Sequence, residues 1–124
     1  MGFVMSKKGA GKYRKKFIEP FVLLIIAENP MHGYEIANKL FEYGIELTGL
    51  GQMGNIYRIL SKLESEGFVI SKWDNSSQGP SKKIYYITKK GIEQLLVSKD
   101  EFINIISKLE TFIEKVSKFT ENVY

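Results

Sequence analysis

Between Gln52 and Glu66 the apolar residues Met53, Ile56, Ile59, Leu60 and Leu63 fall on one stripe when projected at helical spacing, while Gly51, Gly54, Asn55, Arg58, Ser61 and Lys62 gather opposite. That pattern predicts an amphipathic helix with one side to pack and one side free, ended at Gly67. Two helices are expected before it. From residue 17 to 28 almost every position after Pro20 is apolar, which suits burial in a core or an interface; Pro20 fits the first turn and Asn29-Pro30 is a stop. His32-Gly33-Tyr34-Glu35 opens the second helix, where Ile36, Leu40 and Phe41 recur at helical spacing before Gly44 closes it.

Past the third helix the period changes. Phe68-Val69-Ile70 and the run from Ile84 to Thr88 are rich in β-branched and aromatic residues and are expected to pair as a hairpin. The Asn75-to-Pro80 loop between them has turn chemistry but is too long for a two-residue turn, so it should project as a wing. Trp73, just before that loop, is expected to pack in the core against the third helix. Thr88 can cap a final helix starting near Lys89. Ser98-Lys99-Asp100-Glu101 has the form of a capping box, flanked by Val97 and Phe102 at staple spacing, which predicts a kink or restart at residue 98. Beyond it Phe102, Ile106, Leu109, Ile113 and Val116 alternate by three and four, and Ile105, Phe112 and Phe119 widen the stripe. A face this broad exceeds what the preceding unit can cover and predicts dimerisation through the tail. The expected fold is mainly α with a small β-hairpin: a winged helix-turn-helix plus a long C-terminal dimerisation helix. Its parts are a flexible basic arm over 1–16, a winged unit over 17–90 and the dimerisation helix over 91–124.

Charge changes the picture because of where it lies. The chain carries a net +4 over 124 residues, but residues 1–18 hold +6, residues 19–50 hold −4, residues 51–90 hold +4 and the tail −2. Positive charge therefore sits on the arm and on the winged unit, where one polyanion could meet both. With 44% hydrophobic and 26% charged residues the composition is that of a single globular domain, and the absence of cysteine removes disulfides and thiolate metal sites. The basic start and the run from Phe21 to Ala27 imitate a secretion signal, but Glu19, Pro20 and Glu28-Asn29-Pro30 break the pattern. A cytoplasmic protein is expected.

The candidate chemistry is recognition of nucleic acid. Arg58 can bond guanine and Asn55 adenine bidentately, with Gly54 letting the backbone approach a major groove; Tyr57, Ser61 and Lys62 complete that face. Lys82 and Lys83 of the wing are candidates for phosphate or minor-groove contact. His32 has no carboxylate or second ligand in its local pattern and reads as a cap or loop residue. Without a second histidine, neither a metal site nor nucleophilic catalysis has its parts; Glu64, Glu66, Asp100 and Glu101 read as helix ends. Gly9-Ala10-Gly11-Lys12 lacks the spacing of a phosphate-binding loop. No cofactor and no enzymatic activity are expected.

Three blocks together carry a family resemblance: Phe21 to Ala27 through His32-Gly33-Tyr34-Glu35-Ile36; Ile56-Tyr57 with Leu60, Leu63, Glu64 and Gly67; and Gly79-Pro80 with Lys82, Lys83, Tyr85-Tyr86-Ile87-Thr88 and Gly91. Over residues 17–95 the chain resembles the PadR family of bacterial and archaeal transcriptional regulators. The resemblance implies a winged helix-turn-helix, a C-terminal helix that dimerises, and usually repression of nearby genes, relieved in some members by phenolic or other hydrophobic compounds. Two positions depart from the family pattern: Arg58 stands where proline is frequent, and Lys82 where arginine is frequent, turning a bidentate donor into a point charge. The expected function is sequence-specific DNA binding, as a homodimer on an inverted repeat. The alternatives are a protein-interaction module of the same fold and a nucleic-acid binder without sequence preference.

Overall fold

The computed structural model of the chain describes residues 3–4, 10–46, 52–76, 79 and 82–123, with side chains described from Phe17 onward except at 46, 52 and 53. Lys7, Lys8, Gly51, Ser77, Gln78, Pro80 and the side chain of Met53 therefore lie outside it. In chain order the elements are β1 (Phe3–Val4), α1 (Ala10–Glu28), β2 (Met31–His32), α2 (Gly33–Glu42), β3 (Ile45–Glu46), α3 (Gln52–Ser65), β4 (Val69–Asp74), β5 (Lys82–Ile87) and α4 (Lys89–Val123).

The core lies where α1, α2 and α3 meet one face of a small sheet. Ile18, Val22, Leu23, Ile25 and Ile26 from α1, Ile36 and Leu40 from α2, and Ile56, Leu60 and Leu63 from α3 are all buried, joined by Val69 and Tyr85. The stripe foreseen on α3 thus becomes the packing side. Ile59 is half-buried at its edge. Apolar side chains of this size each contribute roughly 1.5–3 kcal/mol when removed from water.

The sheet has the order β2-β5-β4 and is antiparallel throughout. β4 and β5 form the expected hairpin, longer than its apolar residues suggested, from Val69 opposite Ile87 to Asp74 opposite Lys82. The third strand, β2, is only Met31–His32, too short for a periodic signal, and it is held by pairing with Tyr85 and Ile84. Within the segment read as an arm, Phe3–Val4 pairs in parallel with Ile45–Glu46, and α1 begins at Ala10. Pro20 is therefore inside α1, not in its first turn. Residues 10–16 have no apolar stripe to announce a helix, but alanine, lysine and arginine are good helix formers.

Two ends of helices fix the geometry around the hairpin. Gly67 takes φ +82° beyond α3, and the bonds Phe68 N–H to Leu63 C=O (3.0 Å) and Gly67 N–H to Glu64 C=O (3.0 Å) make a Schellman closure. Thr88 caps α4: its hydroxyl oxygen accepts from Gly91 N–H at 3.0 Å and lies 2.7 Å from the Gly67 carbonyl to which it donates. Gly91 is buried so tightly that an added Cβ would collide with the Phe68 carbonyl oxygen. No side chain fits there.

α4 continues through residue 98 as one helix, so the expected restart does not occur. Ser98 is buried, beside Pro20 of α1, and its small side chain serves close packing where the capping-box pattern suggested a helix start. Further along, Phe102 stacks on Phe17 (5.8 Å between ring centres) and approaches Phe21 (6.3 Å), which tethers α4 to α1. Beyond that tether the apolar stripe of α4 runs out into solvent. Ile106, Leu109, Phe112, Ile113, Val116 and Phe119 are exposed, Phe119 to 70%. No helix among the described residues is long and apolar enough to cross a membrane.

Candidate nucleic-acid interface

The outer face of α3 carries Gly54, Tyr57, Arg58 and Ser61 exposed, with Asn55 half-buried beside them. Arg58 lies within the helix and, among the described residues, has no ion-pair partner. Gly54 has nothing within 4 Å of where a Cβ would stand, so this part of the backbone is open to close approach. Five of the residues singled out from the sequence thus share one accessible face.

Lys62 differs from its neighbours. Its ammonium donates to both carboxylate oxygens of Glu19 on α1, at 3.1 and 3.0 Å, and lies 3.6 Å from Glu66. The hydrogen bond to Glu19 is the main reason its pKa is raised, partial burial acting the other way. Lys62 therefore joins α3 to α1, a pairing across 43 positions of sequence that a helical projection of α3 could not reveal.

The start of α2 connects α3 to the hairpin. Tyr57 lays its ring edge against Gly33, where an added Cβ would come 2.6 Å from the ring. Any side chain at 33 would displace the exposed Tyr57 ring, so glycine lets α2 and α3 meet with that ring in place. On the other side of the same turn, Tyr34 stacks on His32 and carries the Lys82 ammonium 4.6 Å above its ring centre.

His32 has the carboxylates that its local sequence pattern seemed to lack. Its Nδ1 is 2.8 Å from Glu35 and its Nε2 is 3.1 Å from Asp74, 42 residues away at the end of β4. Glu35 also accepts from the His32 backbone N–H at 3.1 Å, one half of a capping box, which agrees with the structural role expected of this residue. Asp74 is held below the usual carboxylate range, first by hydrogen bonds from Ser76 and then by His32. The base of the wing is therefore pinned to the start of α2.

Strand alternation divides the wing into two faces. Val69, Ser71 and Trp73, opposite Ile87, Tyr85 and Lys83, share the face turned to α3: Val69 and Tyr85 are buried, and Ser71 donates to Glu64 of α3 at 2.7 Å. Lys82 belongs to the other face. The two wing lysines thus flank the blade. Trp73 is not in the core as the sequence suggested; it is 63% exposed, with the Lys83 ammonium 5.3 Å from its ring centre. The inward face simply outruns the helix layer before residue 73 is reached.

With this geometry in hand, the family model described as the transcriptional regulator PadR-like family matches residues 22–96. The chain belongs to the PadR-like family. Among solved structures, it is 38% identical to a conserved protein of unknown function described as a potential transcriptional factor, covering 88% of this chain and 95% of that one at a TM-score of 0.76. A PadR-like transcriptional regulator from Bacillus cereus is 30% identical, with 82% and 96% covered and a TM-score of 0.68. A PadR family regulator from hypervirulent Clostridium difficile is 28% identical, with 78% and 98% covered and a TM-score of 0.68. Among curated proteins nothing matches. Family and fold agree: this PadR-like chain is a transcriptional regulator with a winged helix-turn-helix and a long terminal helix.

Proposed function

We propose that this regulator binds DNA sequence-specifically as a cytoplasmic homodimer and represses the genes beside an inverted-repeat operator. The observation that carries the reading is the linkage of one open helix face to a lysine-bearing wing through packed residues: Tyr57 on Gly33, Tyr34 beneath Lys82, and Ser71 on Glu64. Helix and wing are held as one unit, so both can meet a duplex without rearrangement. Arg58 and Asn55 read base edges, Gly54, Tyr57 and Ser61 border the groove, and Lys82 and Lys83 meet flanking phosphates. Lys62, committed to Glu19, supports the helix and reaches a phosphate only at the expense of that ion pair.

Dimerisation uses the far half of α4. Phe102 and Ile105 are half-buried at the junction with α1, and Ile106, Leu109, Phe112, Ile113 and Val116 continue the stripe into solvent. An unpartnered apolar face of this length favours self-association, and a two-fold dimer places two α3 helices in successive major grooves, which is why the operator should be symmetric. Two apolar grooves flank Phe102, one of about 480 Å³ with Phe21, Leu24 and Ile103 in its walls, and one of about 330 Å³ bordered by Phe17, Tyr43 and Leu109. A hydrophobic or phenolic effector is assigned to this junction, where it would bias the angle between α4 and the winged unit.

Fluorescence anisotropy with labelled duplexes tests the reading. Binding should weaken steeply with salt, and Arg58→Ala should lose roughly 1–3 kcal/mol of preference for the favoured duplex over random DNA. Equal affinity of wild type and Arg58→Ala for every duplex would overturn specific readout by α3. Salt-insensitive capture of a protein, with no duplex bound, would replace it with a protein-interaction role.

A further inference from the structure

We infer that Trp73 is a DNA-backbone contact, in which the indole and the Lys83 ammonium together grip the sugar-phosphate chain beside the wing; this rests on the DNA-binding reading above. Trp73 is the only tryptophan of the chain, and it stands 63% exposed at the far end of an inward face that starts at buried Val69 and passes half-buried Ser71. A large apolar ring left in water within a well-packed unit marks a contact surface when it is surrounded by groups that select a partner. Here those groups are cationic. Lys83 stands across from Trp73 in register with its ammonium 5.3 Å from the ring centre, and Lys72 and Lys82 add charge on the opposite face of the same hairpin.

The face on which Trp73 stands decides what it would meet. It is the face that Val69 and Ser71 turn to α3, so the indole stands on the α3 side of the wing, nearer its tip than either of them. The indole N–H is a donor without acceptor capacity, which matches a phosphate oxygen, and the ring face suits the apolar edge of a deoxyribose. Lys83 held over the ring is directed at the same phosphate, so its charge is placed and not merely present. Because sugar and phosphate repeat regardless of sequence, Trp73 contributes affinity without sequence preference.

Titrating the full-length protein with a fluorescein-labelled random duplex at low salt, while recording label anisotropy and Trp73 emission in parallel unlabelled titrations, tests this directly. Bound DNA should change Trp73 emission at the same midpoint as the anisotropy rise and should shield the ring from acrylamide. Trp73→Ala should fold as the wild type by circular dichroism, because the ring is exposed, and should bind random and operator duplexes weaker by the same factor, roughly fivefold. Trp73→Phe, which keeps a ring for Lys83, should lie between them. An anisotropy rise with emission and acrylamide access unchanged, or Trp73→Ala binding like the wild type, overturns the assignment while leaving DNA binding intact. No anisotropy rise with any duplex overturns the DNA reading and this contact together.

Discussion

Gly33 leaves room for the Tyr57 ring where α2 meets α3, in the space a methyl would need. Gly33→Ala should therefore cost about 1–3 kcal/mol in urea denaturation, the range for overpacking a filled site. The same change in a Tyr57→Ala background should cost far less, since the clash has one partner. Gly91→Ala meets the Phe68 carbonyl, which is backbone and cannot swing aside, so it should be the more damaging substitution of the two. The glycines and tyrosine were visible in the sequence as a motif, but the motif did not say that they touch. His32 shows the same limit: Glu35 is three residues away, whereas Asp74 arrives through the β4–β5 hairpin, and only the fold brings it within 3.1 Å. Trp73 was misplaced because aromatic character predicts burial on average, and a strand that projects beyond its helix exposes even its inward face.

At the scale of elements, periodicity located α2, α3 and the hairpin because each has one face in the core and one in water. It missed β2, whose two residues owe their strand geometry to pairing with β5, and it mistook Ser98-Lys99-Asp100-Glu101 for a helix start in a segment where packing against α1 carries α4 onward. The Thr88 cap was legible, and Thr88→Ala should cost about 1 kcal/mol in the same denaturation assay. The Lys62–Glu19 pair, which joins α3 to α1, gives a pH signature. Lys62 has a raised pKa in the fold, so the pair's contribution is complete below the unfolded lysine value near ~10.4 and is lost as pH rises through the higher folded value. Lys62 is 40% exposed, which holds that contribution below about 1 kcal/mol. The stability difference between wild type and Lys62→Gln should therefore be present at neutral pH and vanish in strong alkali; a difference that persists there would show that the pair is not its source.

For the whole molecule, the exposed stripe from Ile106 to Phe119 is the feature that a single chain leaves incomplete. Phe112→Glu together with Ile113→Glu should convert a dimer to a monomer in sedimentation velocity while leaving the melting of the winged unit nearly unchanged, since neither residue packs in its core. Monomers should also lose most operator affinity, because one half-site contact replaces two. Selection of bound sequences from a random duplex pool tests the proposed dimer and the open face of α3 at once. An inverted repeat with half-sites about one helical turn apart should be enriched, whereas enrichment of an asymmetric single site, or no enrichment over the starting pool, would rule out paired reading by two α3 helices.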